Sequence, residues 1–422
     1  MFDIIRDPLW NNITLDPLAL RLVDTRAFQR LRYVRQLGLA YLVYPGATHS
    51  RFEHALGAYH LAGRTLALLE RGPEWDALAG DASVVATAAL LHDIGHYPFS
   101  HALEEIGAPH HEDVASAVLL RGDVAAVLRR EVAPDAPERI VELIRGRSAS
   151  PLQGLISGSL DLDKVEYLKR DALMCGVPYG EIDVDRLIHS LTPVPDPTTG
   201  RLTIGVAEKG LSALESLLFA KYQMYRNVYW HHAVRSATAM YKRLVVDAIG
   251  VGALQTADLA SFSDESLLHR LEERAPSALL RGLRERHLHK RAFECPSADL
   301  PDDAAEWIAA DRTLVMAAED QIAREVGLDP GEVLLDYPTK TQMLDLDLPV
   351  LRRNGEVRRL TGEGLEGAIN LPVLSNQLYR SARWLRVFVA RPVELKKRAV
   401  LSLAQMPESE VRRRVADGTR LL

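Results

Sequence analysis

The chain has 422 residues, of which 47% are hydrophobic and 26% charged, and it carries a net charge of −6 at pH 7. That length allows two domains, or one large domain with an elaborated tail, in an ordinary globular composition. The acidic balance argues against nucleic acid or an anionic membrane as the main partner, since either needs an excess of Lys and Arg.

In chain order, the first residues form a turn-rich arm without the apolar core of a signal peptide, and no later apolar run reaches membrane-spanning length. A cytoplasmic protein is expected. Thr25 to Gln36 predicts a helix whose apolar face is Phe28, Leu31 and Val34, with Arg26, Arg30, Arg32 and Arg35 on the rest. Such arginines form either a solvated face or a surface for phosphate or an acidic partner. Tyr41 to Tyr44 is strand-like. Ser50, with Glu53 three residues on, predicts a capping box for a helix through Leu69. Arg51 and His54 then share a face of its first turn, where a lone His54 would read as a core or cap histidine.

The apolar run Ala82 to Leu91 predicts a buried helix, which Gly95 and Pro98 would end. At its foot stand His92, Asp93, His96 and His101. One His-Asp pair reads as a polar helix cap. Four such groups within ten residues favour a site for a divalent ion instead. Phe99 to Ile106 predicts a helix, His111 starts another, and plain amphipathic helices continue to residue 150.

Residues 159–171 predict a helix with Asp163, Tyr167 and Asp171 on one stripe and Lys164 beside them. That stripe makes a poor core, and it serves equally as an ordinary surface or as one wall of a metal-phosphate pocket. Cys175 and Cys295 lie far apart and form no CxxC pair, so a reducing compartment fits. Residues 193–200 predict a hairpin tip before a strand at Arg201 to Val206. Leu211 to Val246 predicts one long helix that carries Lys221, Tyr225 and Tyr229, where aromatics at helical spacing more often belong to a core. Beyond residue 250, helices are expected to about Gly327, with a basic patch from Arg281 to Arg291. A hairpin with a type I′ turn at Asn354-Gly355, a strand at Leu385 to Val389 and a charged terminal helix follow. The division expected is a region 1–250 and a region 251–422.

His54, then His92-Asp93, then Asp163 resembles the HD-domain phosphohydrolase superfamily. Four longer blocks resemble its deoxynucleoside-triphosphate triphosphohydrolase branch, and within it the catalytic domain of the sterile-alpha-motif/HD enzymes. They are Phe28 to Gly38, Tyr44 to His54, His92 to His101 and Asp161 to Lys164, and the likeness covers residues 20 to 235. The resemblance implies a mainly α fold: an HD-domain helical core with a smaller α+β C-terminal region.

It also implies roles. His54, His92, Asp93 and Asp163 would hold a divalent metal, which is iron, manganese or magnesium in this family, often with a second magnesium arriving with substrate. Arg51, Lys164, Tyr167 and Lys221 would hold the triphosphate; the last stands where a relative has arginine. Gln36 and Asp171 would bind the sugar 3′-hydroxyl, while Leu37 and Tyr229 would exclude ribose. His96, His101 and His111 would line the reacting phosphate together with Asp93, and His111 would be the general acid. Asp24, Gln29 and Arg32 resemble the guanine-reading part of a second, activating site for GTP or dGTP, which Arg352, Arg353, Arg358 and Arg359 would complete. A homotetramer or dimer is implied. The rival readings are an HD phosphodiesterase or nucleotidase, and a nucleotide-sensing module without turnover.

Overall fold

Ser50 fixes the entry into the longest helix of the site. Its side chain and that of Glu53 form the expected capping box, and the helix runs Arg51–Leu69. Ala55, Ala58 and Ala62 are buried along it and let neighbouring helices approach closely. The helix Trp75–Leu91 folds back beside it, with Val84, Val85, Ala88, Leu90 and Leu91 almost wholly buried. Leu162–Cys175, capped by Asp161, packs on the Arg51–Leu69 helix as the third member of the layer. The chain's chemistry therefore sits where three helix ends meet.

The computed structural model describes residues 3–338, 347–360 and 369–422. Within them the chain is mainly helical, with a helical core and a smaller α+β C-terminal region, the fold class expected. The described strands form three small sheets. Asp3–Asp7 and Asn11–Leu15 make an antiparallel hairpin. Leu191–Pro195 pairs antiparallel with Leu202–Ala207, which runs parallel to Leu348–Leu351, itself paired antiparallel with Val357–Leu360. Trp384–Val389 lies between Lys290–Pro296 and Val333–Asp336, antiparallel to both. Buried apolar contacts run across residue 250: Leu39, Phe99 and Tyr241 share a cluster with Leu267, Leu334 and Phe388. No described helix is long and apolar enough to cross a membrane.

Several expected elements differ. The Thr25 to Gln36 helix is only Arg26–Gln29, followed by a 3₁₀ turn at Arg30–Tyr33. Beyond it the backbone is extended because it pairs with the segment before the long helix: Gln36 N–H donates to His49 O at 3.0 Å and Arg51 N–H to Val34 O at 2.9 Å. This tertiary pairing outweighs the helical periodicity, and it places Gln36 on the cavity wall. Tyr41 to Tyr44 is not a strand; Gly38–Leu42 forms a 3₁₀ turn instead. The long Leu211 to Val246 helix is interrupted. Leu211–Met224 ends in a π-helical turn at Tyr225–Tyr229, and His232–Gly250 starts afresh. Such turns recur at functional sites, and this one sets Tyr229 over the Leu162–Cys175 helix.

The basic patch ends in a strand rather than a helix, since Lys290–Pro296 pairs with Trp384–Val389. At the Asn354-Gly355 hairpin only Gly355 has positive φ, at 84°. A type I′ turn needs positive φ at both central residues. Instead, Gly355 N–H closes a turn on Arg352 O at 3.0 Å, and Arg352 N–H donates to Glu356 O at 2.8 Å. The charged C-terminus is two helices, Lys397–Ala404 and Glu408–Asp417.

Candidate active site

His54 projects from the first turn of its helix, His92 and Asp93 from the end of the next, and Asp163 from the first turn of Leu162–Cys175. Their donor atoms converge. His54 Nε2 lies 3.2 Å from His92 Nε2, 2.9 Å from Asp163 Oδ1 and 3.5 Å from Asp93 Oδ2. His92 Nε2 is 3.4 Å from both Asp93 Oδ1 and Asp163 Oδ1. Both rings have their tautomer fixed from behind: His54 Nδ1–H donates to Glu166 Oε2 at 2.6 Å, and His92 Nδ1–H to Ala89 O at 2.9 Å. Each Nε2 therefore turns a lone pair toward the common point.

The electrostatics call for a cation there. Burial disfavours an imidazolium at His54, yet Asp163, Glu166 and Asp93 together push its pKa up to about 10. Asp163 is held well below the usual carboxylate range by His54 and His92 despite its desolvation. Two imidazole nitrogens with matched tautomers and two carboxylates suit a divalent metal better than a proton, and they leave positions for water and a phosphate oxygen. The donor set fits the implied ion.

A second cluster adjoins the first. His96, His101, Glu104 and His111 bring one donor atom each to within 4.8 Å of one another. His111 Nδ1–H donates to Glu104 Oε1 at 2.9 Å, and the His96 and His111 rings stack at 3.9 Å. Burial works against the Glu104 anion, but the hydrogen bonds of His101 and His111 hold its pKa far below the ordinary range. His96 is buried and, with Arg51 close by, kept neutral well below its usual pKa; its Nε2 has no hydrogen-bond partner among the described residues. His101 is more than half exposed. Arg51 is nearly buried: NH1 donates to Asp93 Oδ2 at 2.7 Å, Nε to Ser100 Oγ at 3.1 Å, and NH2 lies 3.3 Å from His101 Nε2.

Both clusters open on one cavity of about 830 Å³, within the range of small-molecule sites. Gln36, Leu37, Arg51, Lys164, Tyr167, Asp171, Lys221 and Tyr229 all line it, as do His92, Asp93, His96, His101, His111 and Asp163. Asp171 accepts from Tyr229 OH at 2.6 Å and from His49 Nε2–H at 2.8 Å. Lys164 donates to Asp161 and to Gly158 O. Lys221 sits over the Tyr225 ring, and burial, together with the neighbouring Lys164, lowers its pKa to about 7. Gln36 Oε1 is buried without a partner among the described residues.

Asp24, Gln29 and Arg32 stand apart from this cavity. Gln29 Nε2 donates to Val23 O, Arg32 Nε donates to Gln29 Oε1, and the Arg32 guanidinium covers the Phe52 ring at 3.5 Å. Asp24 is exposed at the end of Pro17–Val23. Of the four hairpin arginines, Arg352, Arg358 and Arg359 pair with Glu208, Glu356 and the Asp196–Asp347 couple respectively, and Arg353 N–H donates to Glu208.

Four residues beside the site escaped sequence reasoning: Glu166 behind His54, Glu104 behind His111, His49 behind Asp171, and Ser100 behind Arg51. Glu166 carried a signal in its position, one turn beyond Leu162 and on the side facing the long helix. Glu104 stands three residues after His101 and is bonded to it, a local signal, whereas His49 and Ser100 depend on tertiary pairing that no local spacing reveals.

Comparison with known families agrees with this geometry. Residues 51–161 match the HD domain and residues 182–363 the HD-associated region. An uncharacterised protein of Methanocaldococcus jannaschii is 35% identical over 359 residues, covering 85% of this chain and 73% of that one. The chain belongs to the HD-domain family of metal-dependent phosphohydrolases. It shares 52% identity over 99 residues with human deoxynucleoside triphosphate triphosphohydrolase SAMHD1, a stretch that is 23% of this chain and 16% of that protein. The crystal structure of a hypothetical protein from Aquifex aeolicus superposes with a TM-score of 0.71 at 28% identity, covering 93% of this chain and 97% of that one.

Proposed function

We propose that the protein hydrolyses deoxynucleoside triphosphates at the α-phosphorus, releasing the deoxynucleoside and intact inorganic triphosphate. The observation that carries this reading is a single cavity lined by His92, Asp93 and Asp163 of the metal-ligand set, by a trio of imidazoles and by Arg51, Lys164 and Lys221. Arg51, Lys164 and Lys221 offer more donors than one phosphate monoester requires, and a bound polyphosphate anion would restore the charge on Lys221 that burial and Lys164 disfavour. The stretch shared with the triphosphohydrolases supports the same substrate class.

A divalent ion held by His54, His92, Asp93 and Asp163 would supply Lewis acidity at a phosphate oxygen and acidify an attacking water. The rest falls to the chain. Lys164, Lys221 and Arg51 spread over the triphosphate and offset charge that grows on its oxygens. A water oxygen forms the new bond to the α-phosphorus, and the bond from phosphorus to O5′ breaks. His111, backed by Glu104, protonates the departing O5′. Asp171, fixed by His49 and Tyr229, accepts from the sugar 3′-hydroxyl, with Gln36 as the second polar contact. Leu37 and the Tyr229 ring fill the space that a 2′-hydroxyl would need.

Sugar choice tests this arrangement. The parent protein should turn over dATP at least about tenfold faster than ATP, and Tyr229→Ala should narrow the gap by making room rather than by adding a contact. Equal hydrolysis of dATP and ATP by the parent protein would remove Leu37 and Tyr229 from that role.

A further inference from the structure

His54 is held from behind by a buried polar chain that begins in the N-terminal hairpin. Its Nδ1–H donates to Glu166 Oε2 at 2.6 Å, and both side chains are wholly buried. The other carboxylate oxygen, Oε1, accepts from Trp10 Nε1–H at 2.9 Å and from Arg170 Nε–H at 2.8 Å. Arg170, fully buried, donates through NH1 to Asp7 Oδ2 at 2.9 Å. Asp7 Oδ1 accepts from the backbone N–H groups of Leu9 and Trp10, both at 2.8 Å, and so fastens the turn of the hairpin. Gly57 makes the space: a Cβ there would stand 1.9 Å from Glu166 Oε1 and 2.9 Å from the Arg170 guanidinium.

A buried ionic network is weak evidence for stability, because desolvation offsets much of the attraction. Its geometry points elsewhere. Trp10 and Arg170 occupy one carboxylate oxygen and so turn the other toward His54 Nδ1. That fixes both the ring orientation and the tautomer that leaves Nε2 with its lone pair facing Asp93 and Asp163. None of Asp7, Trp10, Glu166 and Arg170 lines the cavity.

We infer that Glu166 is a positioning residue of the metal centre, and that the N-terminal hairpin sets its orientation through Trp10 and the Asp7–Arg170 pair. This rests on the reading of His54 as a metal ligand. The hairpin is thus part of the metal site without reaching the reacting groups.

The test measures Co²⁺ binding to the full chain by chelator competition, with the visible d–d absorption of bound Co²⁺ as a second readout. Neither requires turnover. In Glu166→Gln, Trp10 and Arg170 still demand an acceptor and will hold the amide oxygen. The amide N–H₂ then faces His54 Nδ1, which must accept, and the ring proton moves to Nε2. Co²⁺ affinity should fall roughly 10- to 100-fold with an altered spectrum. Trp10→Phe, which removes one hydrogen bond and keeps the packing, should weaken Co²⁺ about fivefold. Leu128→Ala, in the core away from the chain of contacts, should lower the melting temperature and leave both readouts unchanged.

Parental affinity and spectrum in a folded Glu166→Gln would overturn the inference. If that variant does not fold, parental behaviour of Trp10→Phe overturns the role of the hairpin. Failure of the underlying reading looks different: the parent protein would bind no Co²⁺, or His92→Ala would bind it as tightly as the parent.

Discussion

Asp163→Ala is expected to give a folded protein that has lost its metal and nearly all turnover. The side chain is one-third exposed, so its removal leaves no core cavity. The helix keeps its start, because Asp161, not Asp163, accepts from the Lys164 N–H and caps it. What disappears is the carboxylate oxygen 2.9 Å from His54 Nε2 and 3.4 Å from His92 Nε2. Losing a partner behind a ligand typically costs 10- to 100-fold in metal affinity or activity, and losing a ligand itself should exceed about 100-fold. Elemental analysis after dialysis, circular dichroism and a turnover assay read the three consequences separately. A variant with full metal and full activity would take Asp163 out of the site.

His111→Ala should do the reverse, slowing turnover by roughly 10²- to 10⁴-fold while the metal stays bound. His111 is hydrogen-bonded to Glu104 and stacked on His96, and its contacts do not include the His54–His92–Asp93–Asp163 group. The variant should slow departure of the deoxynucleoside without loosening the ion. If metal content falls with the rate, His111 acts as a ligand or a structural support, and another group protonates O5′.

Much of this site was legible because its residues lie in short local patterns. The Ser50–Glu53 capping box, the helix ending at His92 and the Asp163–Tyr167–Asp171 stripe all depend on neighbours within one or two helical turns, and all three are present. What the sequence did not reveal depends on distant pairing. The extended backbone at Val34 to Gln36 exists because His49 and Arg51 hydrogen-bond to it, and periodicity alone continued a helix there. The π turn at Tyr225–Tyr229 adds a residue to a pattern whose apolar spacing barely changes. Lys290–Pro296 became a strand because Trp384–Val389, almost a hundred residues on, supplies its partner. Glu166 takes its place from His54 and Trp10, 112 and 156 residues away in sequence.

The central claim is attack at the α-phosphorus, and product identity in ¹⁸O-labelled water tests it most directly. With dATP and Mn²⁺ or Mg²⁺, the account predicts unlabelled deoxyadenosine and one equivalent of intact triphosphate carrying one ¹⁸O. Release of dAMP with pyrophosphate, or of dADP with phosphate, would leave the bond from the α-phosphorus to O5′ intact and contradict the account.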